Sequence, residues 1–334
     1  MKRFAALMFA VLFVVALWSG GWFYVQGQVQ AALAGLATAA GTTEDPRLTC
    51  DTTTVSGFPF RIDIGCETAT LVADDVTVTA AGLRGSVQVD NPTHVLVSAR
   101  SPMTTTDAFY GSSTRLDFAS LQASARLTTD NIIDGLGGEG WRIARIALVG
   151  NDLNWIDTIG ADLPLASASR AELQIGDIAE LHDPAAGTAA LAVYVVADAV
   201  VSPVYDIANG TGEVQLQVTG LPDDIRRFGD PDPVSAWRAA GGQIEVARIN
   251  GTDGENLIDA SGTLGLDANR MLTGDLTYTN RGMHERLAPF VNPLILSVLA
   301  GLPQDDGTFR QALQFANGAL LVGGIPLLQL APLY

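Results

Sequence analysis

The sequence predicts a mainly β chain with a few helices (α+β): an N-terminal transmembrane helix, then long curved antiparallel sheet, with helices concentrated in the C-terminal third. Three observations predict it. Residues Phe4 to Val25 form an apolar run unbroken by charge, behind Lys2-Arg3 and with no other basic residue before Arg47. Apolar and polar residues alternate without fault over Glu213 to Thr219, and shorter stretches share that period of two. Helical spacing and caps cluster after residue 230, at Asp232-Pro233 and between Leu287 and Leu299.

A run of about 22 residues at roughly 1.5 Å each spans the ~30 Å hydrocarbon core as a helix. Lys2-Arg3 hold its near end in the cytoplasm, so the rest of the chain is exported. A secretory signal has a shorter apolar stretch, of about 7–15 residues. Here the run closes on Trp18, Trp22, Phe23 and Tyr24, rings that prefer a membrane–water interface. Small-residue sites at Ala32 to Ala34 and Ala37 to Ala39 keep cleavage open as the alternative. Residues 1–25 thus read as a signal anchor and 26–46 as a helical stalk or linker, ended by Gly41 and Pro46. Residues 47–334 read as a β-rich domain, with a break near 200–210 the one candidate for subdivision.

The net charge of −17 excludes nucleic acid, whose phosphates would be repelled, and disfavours docking on anionic head groups. Cys50 and Cys66 are the two cysteines, and an even pair in an exported chain reads as a disulfide. Gly57, Phe58 and Pro59 lie at their midpoint and give a turn, so a hairpin would set the sulfurs opposite one another. Closing a loop of about 15 residues gains on the order of 3 kcal/mol in the chain-entropy model. Strand-like alternation appears at Val87 and Val89, at Leu264 and Leu266, and at Leu276 and Tyr278, and Val72, Val76 and Val78 share one face, interrupted by Asp74. The longer apolar run Ala189 to Val201 reads as a strand covered on both faces. Asn-Gly at 209–210 and 250–251 mark tight turns between strands.

Asp232 is an N-cap with Pro233 at the first helical position, and Gly241-Gly242 stop that helix. Leu287, Phe290, Val291, Leu294, Ile295, Val298 and Leu299 follow i, i+3, i+4 spacing, with Pro289 and Pro293 bending or splitting the helix. This segment either packs on the sheet or lines or caps an apolar groove. Thr308 and Gln311 suggest a capping box opening a helix that ends at Gly318. Ala319 to Leu330, with Pro326, reads as an edge strand.

No motif identifies a reaction. Gly135 to Gly140 satisfies G-x-G-x-x-G, yet a helix-like Asp130 to Leu136 precedes it and a strand-like Trp141 to Val149 follows, the reverse of a dinucleotide site. His94, His182 and His284 share no metal-ligand spacing, and no G-x-S-x-G elbow accompanies them. The acidic loops 223–224, 230–232, 253–255 and 305–306 lack the spacing of a calcium loop. The expectation is therefore a non-enzymatic protein without cofactor or metal. Its partner is the membrane, with lipid or another hydrophobic envelope component in an apolar groove. The alternatives are a scaffolding module for a protein of unknown identity, or a hydrolase with a dispersed Ser-His-Asp site.

The apolar run, the two cysteines around Ser56-Gly57-Phe58-Pro59-Phe60-Arg61, and Asn317-Gly318-Ala319-Leu320 to Ile325-Pro326-Leu327 together resemble the proteobacterial domain-of-unknown-function family 2125. The resemblance covers nearly the whole chain and departs in the tail, at Leu328-Gln329-Leu330. It implies a single-pass protein of the bacterial inner membrane with its C-terminal domain in the periplasm. Ser261 to Leu266, followed by Leu272 to Leu276, is more weakly similar to the strand-Gly-strand texture of AsmA-like envelope proteins. That likeness implies long curved sheets with an apolar inner face, and lipid handling.

Overall fold

Antiparallel strands dominate the protein, in a computed structural model that describes residues 2–39, 47–129, 140–230 and 232–333. It divides into two compact units, Met1–Ser124 with Ile156–Leu163, and Ala125–Trp155 with Pro164–Tyr334. Residues 200–210 lie inside the second.

The first unit holds α1 (Lys2–Ala39), β1 (Arg47–Ser56), β2 (Arg61–Ala73), β3 (Val76–Gln88), β4 (Asn91–Asp107), β5 (Ser112–Asp117) and the start of β6 (Ser120–Thr128). From β1 to β5 each strand pairs antiparallel with the next. The connections are short, so they alternate between two ends of the sheet. The β1–β2 turn at 57–60 and the β3–β4 turn at 89–90 share one end. The β2–β3 turn at 74–75 and the β4–β5 turn at 108–111 share the other. Local chemistry fixes these turns: Gly57 has φ 108, and Asp107 Oδ1 accepts the N–H groups of Phe109 and Tyr110 at 2.9 Å each.

Helix α1 carries the chain from the apolar run into the expected stalk. Its side chains are described at 8–9 and 11–31, so the run Phe4–Val25 lies partly outside the described residues, as do 40–46. Among the described residues, no helix is long and apolar enough to cross a membrane.

Cys50 and Cys66 are joined, with Cα atoms 5.4 Å apart, across the β1–β2 hairpin. Their placement corrects the midpoint reading. Ser56 pairs with Asp63, so the hairpin is centred between Pro59 and Phe60; Cys50 faces Ala69 and Cys66 faces Thr53. The bridge is therefore diagonal. Thr68, at φ 47, kinks β2 between Cys66 and Ala69, both of which are buried while Glu67 and Thr68 face solvent.

The second unit runs through β7 (Arg142–Asp157), β8 (Leu163–Asp177), β9 (Thr188–Ser202), β10 (Ile207–Pro222), α2 (Pro233–Ala239), β11 (Gln243–Asp253), β12 (Asn256–Leu266) and β13 (Leu272–Arg281). It closes with α3 (Met283–Leu287), α4 (Pro293–Leu299), β14 (Leu302–Pro303), β15 (Phe309–Ala316), β16 (Ala319–Val322) and β17 (Ile325–Gln329). Strands β8 to β13 pair antiparallel in order, then β13 with β15, β15 with β16 and β16 with β17. Short 3-10 turns occupy Ala179–Leu181, Pro203–Tyr205 and Ile225–Gly229.

Helix α2 follows its sequence signals. Asp232 caps it by accepting the Ser235 N–H at 3.1 Å, Pro233 opens it, and it stops ahead of Gly241-Gly242. The Trp237 indole lies where a side chain on Gly242 would be, and donates to Thr219 O at 2.7 Å.

Several expectations are corrected. Thr308 to Gly318 is not a helix: Phe309–Ala316 forms β15, and Asp306 rather than Gln311 bonds Thr308, through its N–H at 3.0 Å and its hydroxyl at 2.6 Å. Helices are not concentrated in the C-terminal third. The 38-residue α1 is N-terminal, while α2, α3 and α4 have five to seven residues each. Both Asn-Gly pairs lie within strands, β10 and β11. Asp206, at φ 53, turns the chain ahead of the first, and Gly254, at φ 59, turns it just beyond the second. Asp130 to Leu136 lies outside the described residues, as does Gly135 to Gly138 of the glycine-rich stretch.

Among the described residues no large side chain is fully buried; the least exposed positions are alanines, Ala69 and Ala190 at 1%. Antiparallel ladders with small side chains between them, more than a thick core, hold each unit together.

Candidate apolar groove at the helix–hairpin junction

In the first unit, α1 lies along the β1–β2 hairpin through residues spaced one turn apart. Trp18 Nε1–H donates to Pro59 O at 2.9 Å, Trp22 Nε1–H to Arg61 O at 3.1 Å, and Gln26 Nε2–H to Val55 O at 3.1 Å. Positions i, i+4 and i+8 share a helix face, so one edge of α1 serves the whole contact. The fit along the axis is close: four helical residues rise about 6 Å and two strand residues about 6.6 Å. Trp18 and Trp22 can therefore meet carbonyls 59 and 61 together.

Aromatic rings fill the same seam. Phe60 lies 6.2 Å from Trp18, Phe58 meets Trp22 edge-on at 5.4 Å, and Phe58 stacks on Phe23 at 5.8 Å. Trp22 is buried, whereas Phe58 and Phe60 stay 50% and 69% exposed.

Beside this seam opens a groove of about 540 Å³, within the range of small-molecule sites. Val14, Leu17, Trp18, Gly21, Trp22 and Val25 form its helical wall; Ile62, Val87, Gln88, Val89 and Pro92 form the other. Gln88 is the one side chain with an amide in that lining, so the groove suits hydrocarbon far better than a polar ligand. A Cβ on Gly21 would meet nothing within 4 Å, so the glycine widens the groove without bearing on its neighbours.

A family model described as an uncharacterized protein conserved in bacteria, domain-of-unknown-function family 2125, matches residues 22–331. The chain belongs to this family. The match takes in Trp22, Val25, both cysteines and the whole Ser56 to Arg61 turn, so in this member of family 2125 most of the helix–hairpin seam is family sequence. No curated protein and no solved structure matches the chain, and no comparison shows a likeness to AsmA-like envelope proteins.

The apolar segment 287–299 of this member of family 2125 lies in the second unit and is split as its prolines predict. Leu287 ends α3, Phe290 and Val291 lie between the helices, and Ile295, Val298 and Leu299 lie in α4; the Leu294 side chain is outside the described residues. The prolines split the segment, and α4 restarts at Pro293 with a new phase. Its most buried residue is Leu296, which the continuous helical pattern left out. Phe290 is 55% exposed, against Tyr205 at 5.6 Å.

Polar clusters in the second unit are structural ties. His182 Nε2 lies 3.4 Å from Asp223. Asp224 accepts Arg226 Nη2 at 2.5 Å, the Arg226 N–H at 2.9 Å and the Gly140 N–H at 3.0 Å. The guanidinium first, then these backbone donors, hold its carboxyl far below the usual carboxylate range despite burial. Asp253 accepts the Ala208 and Asn209 N–H groups and pairs with Arg286, which lowers its pKa. Asp232 pairs with Arg270 at 2.9 Å. Each of these acidic loops spends its carboxylate on an arginine or a backbone N–H, and among the described residues no metal-ligand cluster forms.

Proposed function

We propose that this protein is a non-enzymatic, single-pass protein of the bacterial inner membrane, with its β body in the periplasm, that holds the acyl chain of a lipid in the groove beside α1. The observation that carries the reading is the groove's lining. One wall belongs to the same charge-free run, Phe4 to Val25, whose length and flanking Lys2-Arg3 suit a membrane span. A cleft with an almost wholly apolar lining at such a helix is open to hydrocarbon from the bilayer itself.

The test uses the full chain, purified in mild detergent, with its retained lipid extracted and weighed by mass spectrometry. Gly21→Leu fills the groove from a position with free space around it, while Gly20→Leu adds the same side chain outside the lining. Wild type and Gly20→Leu should retain lipid and Gly21→Leu should lose at least tenfold. Equal retention in the two variants, or none in wild type, overturns the reading and leaves the scaffolding alternative.

A further inference from the structure

The turn between β1 and β2 has features that the groove does not require. Phe58 and Phe60 project from it half or more exposed, on either side of Pro59. A tight turn that exposes two phenylalanines to water is costly, and large exposed apolar patches mark contact surfaces.

Most carbonyls of this turn have partners within the protein. Gly57 O accepts the Arg61 N–H at 3.2 Å and Phe60 O the Val89 N–H at 2.9 Å. Pro59 O and Arg61 O accept the two indoles of α1, and Val55 O accepts Gln26. Pro59 itself brings no N–H. Carbonyls that would ordinarily turn to water at an exposed loop are thus satisfied within the protein. Each carbonyl satisfied in this way lowers the cost of bringing the turn into hydrocarbon.

We propose that Gly57–Phe60 is a membrane wedge, with Phe58 and Phe60 inserted into the leaflet of the bilayer that faces the β body. The proposal rests on α1 crossing that bilayer. Continuity with α1 identifies the occupant: Phe60 packs at the level of Trp18, seven residues before the run ends at Val25, or about 10 Å down the helix axis. The charges nearby fit a shallow wedge. Arg61, paired with Asp63 at 2.8 Å, lies at the level of Trp22, from which a long side chain reaches the head groups. Val89 of the neighbouring turn bonds Phe60 O, so the exposed Asp90 beside it lies at the level of Phe60 and keeps the wedge shallow.

The turn 108–111 provides the internal comparison. Tyr110 is 80% exposed and Phe109 74%, an equally aromatic turn at the opposite end of the same sheet. The full chain is reconstituted in phosphatidylcholine nanodiscs with a nitroxide on Phe60→Cys, Phe58→Cys or Tyr110→Cys, the native disulfide being verified by mass spectrometry. Collision with oxygen, which concentrates in lipid, should exceed collision with a water-soluble nickel chelate several-fold at 58 and 60, and the order should reverse at 110. Labels at 58 and 60 as open to nickel as the one at 110 overturn the wedge. Lipid loss in Gly21→Leu alongside a water-exposed label at 60 defeats the wedge alone. Unchanged lipid in that variant, with a lipid-exposed label, defeats the groove alone.

Discussion

Trp22 does two things that a purely apolar residue could not. Its ring is buried between Phe23 and Phe58, and its N–H meets Arg61 O, so the residue fixes both the spacing and the height of the hairpin against α1. Trp22→Phe keeps most of the packing but strands that carbonyl. A loss of about 1 kcal/mol is expected, read as roughly fivefold faster amide exchange in peptides covering 56–66; unchanged exchange would show the bond to be idle. Asp224 acts at the same scale in the second unit. Its folded pKa is lowered from 3.8, chiefly by Arg226, so its stabilisation is present above that value and fades as pH falls below it. Asp224→Asn should lower the denaturant midpoint at pH 7, by the equivalent of about 1–3 kcal/mol. The gap to wild type should narrow on acidification below about pH 3.8; a gap that widened would refute the assignment.

Among the elements, the β12–β13 pair is the least tolerant of change. Gly274 has φ 121, and a Cβ there would come within 2.0 Å of Thr263 O; Gly262 stands in the reciprocal position, 2.0 Å from Asp275 O. The strand-Gly-strand texture of this region thus has a physical cause, the close approach of one backbone to the next. Gly274→Ala should destabilise the second unit by about 3 kcal/mol or more, seen as an earlier loss of strand circular dichroism in denaturant. A midpoint within error of wild type would show that the strands can separate freely. Elements were legible in the sequence where the signal was local. The Cys50–Cys66 hairpin, the caps of α2 and the proline break after Leu287 all depend on a few neighbouring residues. Thr308 and Gln311 misled because a capping-box pattern needs only two residues, while the alternation Gln311, Leu313, Phe315 carried the correct period of two. The Asn-Gly pairs misled because other left-handed residues, Asp206 and Gly254, make the turns.

At the scale of the whole molecule the groove was beyond sequence reasoning, since its walls come from residues 14–25 and 62–92 and only folding brings them together. The tryptophans at 18 and 22 were visible as an aromatic belt, yet nothing local told that their indoles bond a hairpin some forty residues on. The net charge of −17 was legible and keeps its meaning: a body of that charge is repelled by anionic head groups, so the proposed hydrocarbon contact is assigned to the helix and the apolar turn. Protease added to spheroplasts of the bacterium that makes the protein should degrade the β body and spare only a fragment about the size of α1. Protection of the body until the inner membrane is lysed would reverse the proposed orientation.

The alternation of turns in the first unit has a consequence of distance. With the 57–60 turn held at the bilayer, the 108–111 turn is carried to the far end of β4, whose 17 residues extend on the order of 50 Å. Strands of that length act as a fixed spar. On the proposed insertion, whatever Phe109 and Tyr110 touch would be met at one height above the membrane, set by the number of residues in a strand and not by the slack of a tether.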